Sequence, residues 1–249
     1  MPGSPFEKPP ESSAASFRTT HWSVVLAARG GEETQAASAL ETLCRSYWYP
    51  LYTFVRRQGH TPEDAEDLTQ AFFARLLEKD YLQAASSAKG KFRSFLLMAL
   101  KRFLADEWDR ATALKRGGIH RPIPLDRQSA EDQFRLEPKH ELTPERLFER
   151  RWAMMVLERA RARLREEYVV AGKEALFEQL KGFHSYDETT IAYGDAATGL
   201  AMPENTVKSH VRRLRQRYQQ LVREEVAQTV SNPVEVEEEI RHLLAVVGG

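Results

Sequence analysis

This sequence of 249 residues contains a single cysteine and no long apolar run. One cysteine, Cys44, excludes a disulfide framework or a thiolate metal cluster within the chain, and its amphipathic surroundings predict a small core residue. No stretch approaches the ~18 consecutive apolar residues of a membrane-spanning helix. The first residues mix Pro, Ser and Glu without the apolar core of a secretory signal, so we expect a cytoplasmic protein with a flexible N-terminal tail, residues 1–19.

The chain also lacks net charge, because 36 Lys and Arg balance 36 Asp and Glu. The balance hides segments of opposite net charge. Residues 89–121 carry nine bases against three acids, and residues 203–223 carry six bases against one acid. Residues 60–80 reverse the balance with six acids against two bases, and residues 224–249 have six acids against one Arg. Two separated basic segments predict two contacts with a polyanion, and the acidic segment 60–80 predicts a protein partner.

No convincing alternation of apolar and polar residues occurs, whereas apolar residues recur with the 3.6-residue period of helices. We therefore predict an all-α protein with two helical domains, residues 20–116 and 144–230, joined by a flexible linker, residues 117–143. Three prolines and a loss of periodicity define that linker. A kink or break is expected at Pro50, inside a predicted helix. The predicted helices cover residues 22–28, 34–58, 61–77, 91–114, 143–168, 173–183 and 191–198, and one more begins at residue 203.

Residues 231–249 form an acidic C-terminal tail in which Val234, Ile240, Leu243 and Leu244 are spaced for a short amphipathic helix. Two interpretations stay open. The tail is either solvated, or it is a helix that packs on the second domain or engages a regulator.

The segment AYGDAATGLAMPENTVKSHVRRLRQRY, residues 192–218, has the layout of a helix-turn-helix. Ala196 and Ala197 allow the two helices to approach closely, while Val207 and Val211 repeat on one apolar face. A basic helix face is often only solvated surface, but its combination with a small-residue helix and a corner predicts DNA binding. The candidate DNA-binding residues are Glu204, Asn205, Thr206, Lys208, Ser209, Arg212, Arg213, Arg215 and Arg217, of which the last three suit phosphates.

The segment from Tyr193 to Glu225 resembles the C-terminal domain of bacterial RNA polymerase sigma factors of the extracytoplasmic-function group. The resemblance implies that the second domain reads the promoter element around −35. A similar helix-turn-helix ends many response regulators, so this half alone leaves the family open. The positions that carry the resemblance are Tyr193, Asp195, Ala197, Met202, Thr206, Val207, Lys208, Ser209, Arg213 and Arg215.

The stretch DAEDLTQAFFARLL, residues 64–77, resembles the acidic helix with which this family docks on the clamp coiled coil of the polymerase β′ subunit. The resemblance implies polymerase contacts by Asp64, Glu66, Asp67 and Gln70. Acids at a helix start also complement the helix dipole, and for Asp64 this alternative stays open.

The stretch KFRSFLLMALKRFLADEWDR, residues 91–110, resembles the family's helix that holds the melted strand of the −10 element. Single-stranded DNA is held by cations along its phosphates and by apolar or aromatic surfaces that accept bases. The family's usual Asn is replaced here by Arg102, so the promoter sequence does not carry over. Three phenylalanines at core spacing, Phe92, Phe95 and Phe103, are interpreted as packing residues. The candidates for binding the strand are Lys89, Lys91, Arg93, Lys101, Arg102 and Arg110.

The order of these three motifs predicts an alternative sigma factor without an active site or cofactor of its own. Its implied partners are core RNA polymerase, through the β′ clamp coiled coil and the β subunit, and promoter DNA; an anti-sigma or other regulatory protein is a further candidate. Two alternatives stay open. One is a helix-turn-helix regulator without sigma activity, and the other is a metal-dependent hydrolase built on His60, Asp64 and Asp67, which the scattered histidines disfavour.

Overall fold

A computed structural model describes residues 33–77, 90–113, 127–136, 142–184 and 193–248. These residues contain helices and no strand, which confirms the all-α prediction, and none of their helices is both long and apolar enough to cross a membrane. The predicted helix at residues 22–28 lies outside them. The helices are α1 (Glu33–Arg57), α2 (Pro62–Leu77), α3 (Phe92–Ala113), α4 (Arg127–Arg135), α5 (Pro144–Val170), α6 (Glu174–Leu180), α7 (Tyr193–Leu200), α8 (Glu204–Thr229) and α9 (Val236–Gly248), with 3₁₀ turns at Lys181–His184 and Pro233–Glu235.

The boundary between α1 and α2 follows from local sequence. Helix α1 runs through Pro50 without a break. The turn that follows contains Gly59 at a φ of 97°, a left-handed conformation that glycine adopts without steric cost. Thr61 caps α2, because its hydroxyl accepts the backbone N–H of Asp64 at 3.1 Å and donates to the Asp64 carboxylate at 2.9 Å.

Helices α5 and α7 end with the same hydrogen-bond pattern. The turn residues are Gly172, at a φ of 68°, and Ala201, at a φ of 49°. In each turn this residue donates its N–H to the carbonyl three positions earlier, and the next N–H reaches the carbonyl five positions earlier, at 2.8–3.2 Å. This is the Schellman motif, which places its turn residue in the left-handed region. Ala201 is the one residue other than glycine with a positive φ in the described ranges.

The apolar faces of the helices meet in one continuous core. Phe92 and Phe103 lie in it and Phe95 packs against it, as predicted for packing residues. Cys44 is also buried, and this burial raises the pKa of its thiol to about 12. The lone cysteine is therefore a core residue, as its sequence context predicted.

Direct contacts join the two halves of the chain. Helix α1 packs against α5. Trp152 of α5 is fully buried, the Arg151 guanidinium lies 5.4 Å from the ring centroid of Tyr49, and Arg159 donates to the Ser46 hydroxyl at 2.9 Å. The two halves thus share an interface in this structure, whereas their independence as domains stays a prediction.

Helix α4 lies within the segment that the sequence assigned to a flexible linker. Glu131 of α4 accepts hydrogen bonds from Tyr52 at 2.7 Å and from Arg56 at 2.9 and 3.0 Å. The Arg56 guanidinium lies over the Phe134 ring at 4.7 Å from its centroid. Residues 127–135 therefore form a helix docked on α1, because α1 supplies partners that the local sequence does not reveal.

Helix α9 packs on α5 and α8. Val236 and Leu243 are buried, and Ile240 is partly buried against the core. Of the two interpretations of the C-terminal tail, the structure has the packed helix, but Val234 and Leu244 of the predicted apolar face are exposed.

Candidate nucleic-acid interface

A short corner, residues 201–203, sets the start of α8 at the protein surface. Pro203 occupies the N-cap position with extended backbone, φ −60° and ψ 141°. Val207 and Val211 are buried beneath the first turns of α8, and Ala196 of α7 is buried next to them. The small side chain at Ala196 lets α7 pack closely on α8, and this contact fixes which face of α8 points outward.

The outward face of α8 is polar and basic. Two of its cations, Arg212 and Arg213, make no hydrogen bond or ion pair with other residues in the described ranges. Their guanidinium groups are therefore open to a phosphate or a base edge. The exposed residues of these turns are Glu204, Asn205, Thr206, Lys208, Ser209, Arg212 and Arg213.

Lys208 is oriented by neighbouring side chains. Its ammonium lies 2.6 Å from Glu204 and 5.5 Å from the ring centroid of Tyr193. Tyr193 in turn stacks on Phe183 at 5.0 Å between centroids. The hydrogen bond to Glu204 raises the pKa of Lys208.

Two further cations of α8 have internal partners. The guanidinium of Arg215 donates to the Phe183 carbonyl at 2.8 Å. Arg217 pairs with Glu167 at 2.6 Å and approaches Glu224 at 3.5 Å. Arg217 therefore forms a surface ion pair with α5 in this structure, and its contact with a phosphate stays a prediction.

The cations of α3 are in several different environments. Lys101 pairs with Glu145 at 2.7 Å, and Arg110 pairs with Glu107 at 2.6 Å. Arg102 is exposed and makes no ion pair with the described residues. Lys89 lies outside those residues.

Arg93 is not on the accessible surface that the sequence predicted. Its side chain is 5% exposed, donates to Glu239 at 2.6 Å, pairs with Glu149 and lies 4.7 Å from the ring centroid of Trp152. Lys91 also reaches Glu239, at 2.9 Å. The assignment of Arg93 to the melted strand is thus corrected for this conformation, because carboxylates of α5 and α9 enclose its guanidinium.

The acidic side chains of α2 differ in whether they have a hydrogen-bond partner within this part of the chain. Asp64 accepts a hydrogen bond from the Thr61 hydroxyl at the start of α2 and is exposed, so both interpretations of its role stay predictions. Glu66 accepts a hydrogen bond from Gln70 at 3.1 Å. Asp67 is exposed and makes no hydrogen bond or ion pair within the part of the chain that the structure describes, so it is available to a partner.

A cleft of about 550 Å³ separates α2 from α3. Trp108 lies at its edge with 71% of its surface exposed. The three residues of the metal-site alternative also line this cleft, but no group of three or more His, Cys, Asp or Glu in the described ranges is placed to hold a metal ion. The lining residues are Gln58, His60, Asp64, Asp67, Leu68, Lys101, Leu104, Ala105, Glu107 and Trp108.

The contact between α9 and α3 was missed by the sequence reasoning. Arg93 and Glu239 are 146 positions apart, and no local pattern connects them. The one available signal was the opposite charge of the two segments that contain them.

Compared with known proteins, this chain matches no family model, no curated protein and no solved structure. Its function must therefore be argued from its own residues.

Proposed function

We propose that this protein is an alternative sigma factor of the extracytoplasmic-function type. In this proposal α7 and α8 form a helix-turn-helix that reads duplex DNA at −35, α3 holds the melted strand at −10, and α2 docks on core RNA polymerase. The observation that carries the proposal is the outward polar face of α8, where Arg212 and Arg213 are exposed above a buried apolar face.

The first turns of α8 have the chemistry that a recognition helix needs. Amide and cationic side chains such as Asn205, Lys208 and Arg212 bind base edges in the major groove. Arg213 is suited to a phosphate, which fixes the register of the helix on the duplex. The packing of α7 on α8 buries the apolar side chains of α8 and leaves this polar face outward.

Helix α3 offers a second, smaller surface for a polyanion. Arg102 supplies an exposed cation, and Trp108 supplies an aromatic face beside the cleft. Bases of single-stranded DNA stack on such faces while cations track the backbone.

Helix α2 supplies the proposed polymerase contact. Asp67 is exposed without an ion-pair partner in the described ranges, so a cationic surface on polymerase gains an interaction with it. Charge complementarity of this kind increases the rate of association and selects the partner.

The polymerase contact is tested by charge reversal. We expect Asp67→Lys to weaken binding to core RNA polymerase by about tenfold, because an attractive pair becomes a repulsive one. Glu166→Lys is the matched control, since Glu166 is an exposed acid of α5 outside the proposed surface. Binding to core enzyme and run-off transcription from a pool of genomic fragments are the measurements. If the wild-type protein neither binds core polymerase nor starts transcription from any fragment, the proposal is wrong.

A second candidate is a helix-turn-helix regulator without sigma activity. It is favoured by the interface between α1 and α5 and by the burial of Arg93, since both suit a protein that contacts DNA through α8 alone. This candidate predicts duplex binding without polymerase, and Asp67→Lys leaves that binding unchanged.

A further inference from the structure

We propose that α9 is an intramolecular acidic latch. Glu238 and Glu239 form ion pairs with Lys91 and Arg93 and so exclude single-stranded DNA from the N-terminal end of α3. The latch rests on the proposed function, because it assumes that α3 meets a melted strand. It adds a regulatory step in which α9 must move away before Lys91 and Arg93 bind phosphates.

The contacts of Glu239 form the centre of the latch. Its side chain is fully buried, and its two oxygens accept from Arg93 at 2.6 and 3.2 Å. Lys91 approaches the same carboxylate at 2.9 Å and reaches Glu238 at 3.1 Å. Burial disfavours the charged carboxylate, but Arg93 and Lys91 outweigh it and lower the pKa of Glu239 below its usual value.

The balance of charge at this site opposes phosphate binding while α9 is in place. Two cations, Lys91 and Arg93, face three carboxylates, those of Glu149, Glu238 and Glu239, and His242 of α9 also contacts Glu149 at 2.5 Å. Without α9, the same cations face the carboxylate of Glu149 alone. Displacement of α9 therefore removes two carboxylates from Lys91 and Arg93 and leaves these two cations beside one carboxylate, the balance of charge that a DNA strand requires.

The way α9 is attached allows it to move as a unit. It follows α8 after the short segment 230–235, in which residues 231–234 are exposed. A rotation about this segment separates α9 from α3 while α1–α8 keep their mutual contacts. Release also exposes Val236 and Leu243, which are buried in the latched state. Because exposing these apolar side chains costs free energy, α9 stays packed on the core until a binding partner supplies compensating contacts.

The first test compares three full-length variants that each remove carboxylate charge from α9. Glu239→Gln and the double variant E238Q/E239Q weaken the latch. Glu237→Gln removes the same charge from the same helix, but Glu237 pairs with Arg223 of α8 and both side chains are 57% exposed, so this variant is the matched control. Affinity for a labelled single-stranded oligonucleotide is measured by fluorescence anisotropy at several salt concentrations.

The latch predicts tighter and more salt-sensitive binding when its carboxylates are neutralised. We expect the double variant to bind about tenfold more tightly, the ratio expected for one charge-assisted hydrogen bond. The slope of log affinity against log salt steepens by about 0.7 for each phosphate newly contacted. The Glu237→Gln control stays within about twofold of wild type. A merely structural role for Glu239 does not steepen the salt slope.

A second measurement uses the wild-type chain and is unaffected by any failure of a variant to fold. Hydrogen exchange of the α9 amides is followed with and without saturating oligonucleotide. The latch predicts faster exchange across residues 236–248 when the strand is bound. Unchanged or slower exchange there overturns it.

The outcomes separate the latch from the function on which it rests. If wild type binds the oligonucleotide, the variants bind no better and α9 exchange is unchanged, the latch is wrong and the proposed function stands. If neither wild type nor any folded variant binds the oligonucleotide at low salt, the assignment of α3 to the melted strand fails and the latch fails with it.

Discussion

The cations of α8 differ in their ion-pair partners, and this difference predicts different roles in DNA binding. Arg212 and Arg213 are exposed and make no hydrogen bond or ion pair in the described ranges, whereas Arg217 is paired with Glu167 of α5. Lys208 is between these cases, since Glu204 fixes its direction but leaves it exposed. We therefore assign Lys208, whose direction Glu204 sets, to a base edge and Arg213 to a phosphate, and Arg212 keeps its assignment to a base edge.

This difference predicts distinct effects of two substitutions in α8. Lys208→Ala changes the preferred duplex sequence, with about 1–3 kcal/mol of discrimination lost at the base that it contacts. Arg213→Ala weakens binding to all sequences similarly and reduces the salt slope by about 0.9. Arg161→Ala, which removes an exposed cation of α5, is the control.

The measurement for α8 is selection from a duplex library that is randomised at the proposed −35 element. Equal losses across the library for Lys208→Ala would contradict a base-reading role. A change of sequence preference in Arg213→Ala would equally contradict a phosphate role.

At the level of elements, the ends of helices are the features that the sequence predicts best. Thr61 and Pro62 mark the start of α2, and Gly59 lies in the turn before it. Helix α4 was missed because its few apolar residues do not indicate a helix by themselves. Its packing depends on Glu131 and Phe134 meeting side chains of α1 more than 70 positions earlier in the chain.

The Schellman turns after α5 and α7 give a matched pair of substitutions. Ala201→Gly should raise the free energy of unfolding by about 0.5 kcal/mol, because relief of left-handed strain exceeds the entropy that glycine adds to the unfolded chain. Gly172→Ala should lower it by about 1 kcal/mol. The added Cβ at Gly172 meets no atom within 4 Å, so the cost comes from the backbone conformation alone.

Urea denaturation followed by circular dichroism measures both changes. An increase in stability for Gly172→Ala, or a loss for Ala201→Gly, would show that these turns are not left-handed in solution.

At the scale of the whole molecule, the interface between α1 and α5 joins the two halves of the chain. The core is continuous from α1 through α5 to α8 and α9, and Trp152 is fully buried within it. The ion pairs of Arg93 extend this connection to α3 and α9.

This shared core predicts that the protein unfolds in one cooperative transition. Trp152→Ala should lower the free energy of unfolding by about 3–5 kcal/mol, because it leaves a large cavity in the shared core. Trp108→Ala is the control, since Trp108 is 71% exposed and its loss should change stability by less than about 0.5 kcal/mol.

Calorimetry and urea denaturation, with probes in both halves, measure this cooperativity. Two separate transitions, of which Trp152→Ala shifts only one, would show that the halves fold independently.

The sequence by itself determined the helical class, most helix boundaries and the polar face of α8. These features depend on the 3.6-residue period, on capping residues and on the order of side chains along one helix, all of which are local. The tertiary structure decided which predicted residues are accessible. Arg93 and Arg217 have the charge expected of DNA-binding residues. In the structure they pair with Glu239 and Glu167, which are far from them in the sequence. A pairing between residues far apart in the chain depends on how helices pack, and no local spacing encodes it.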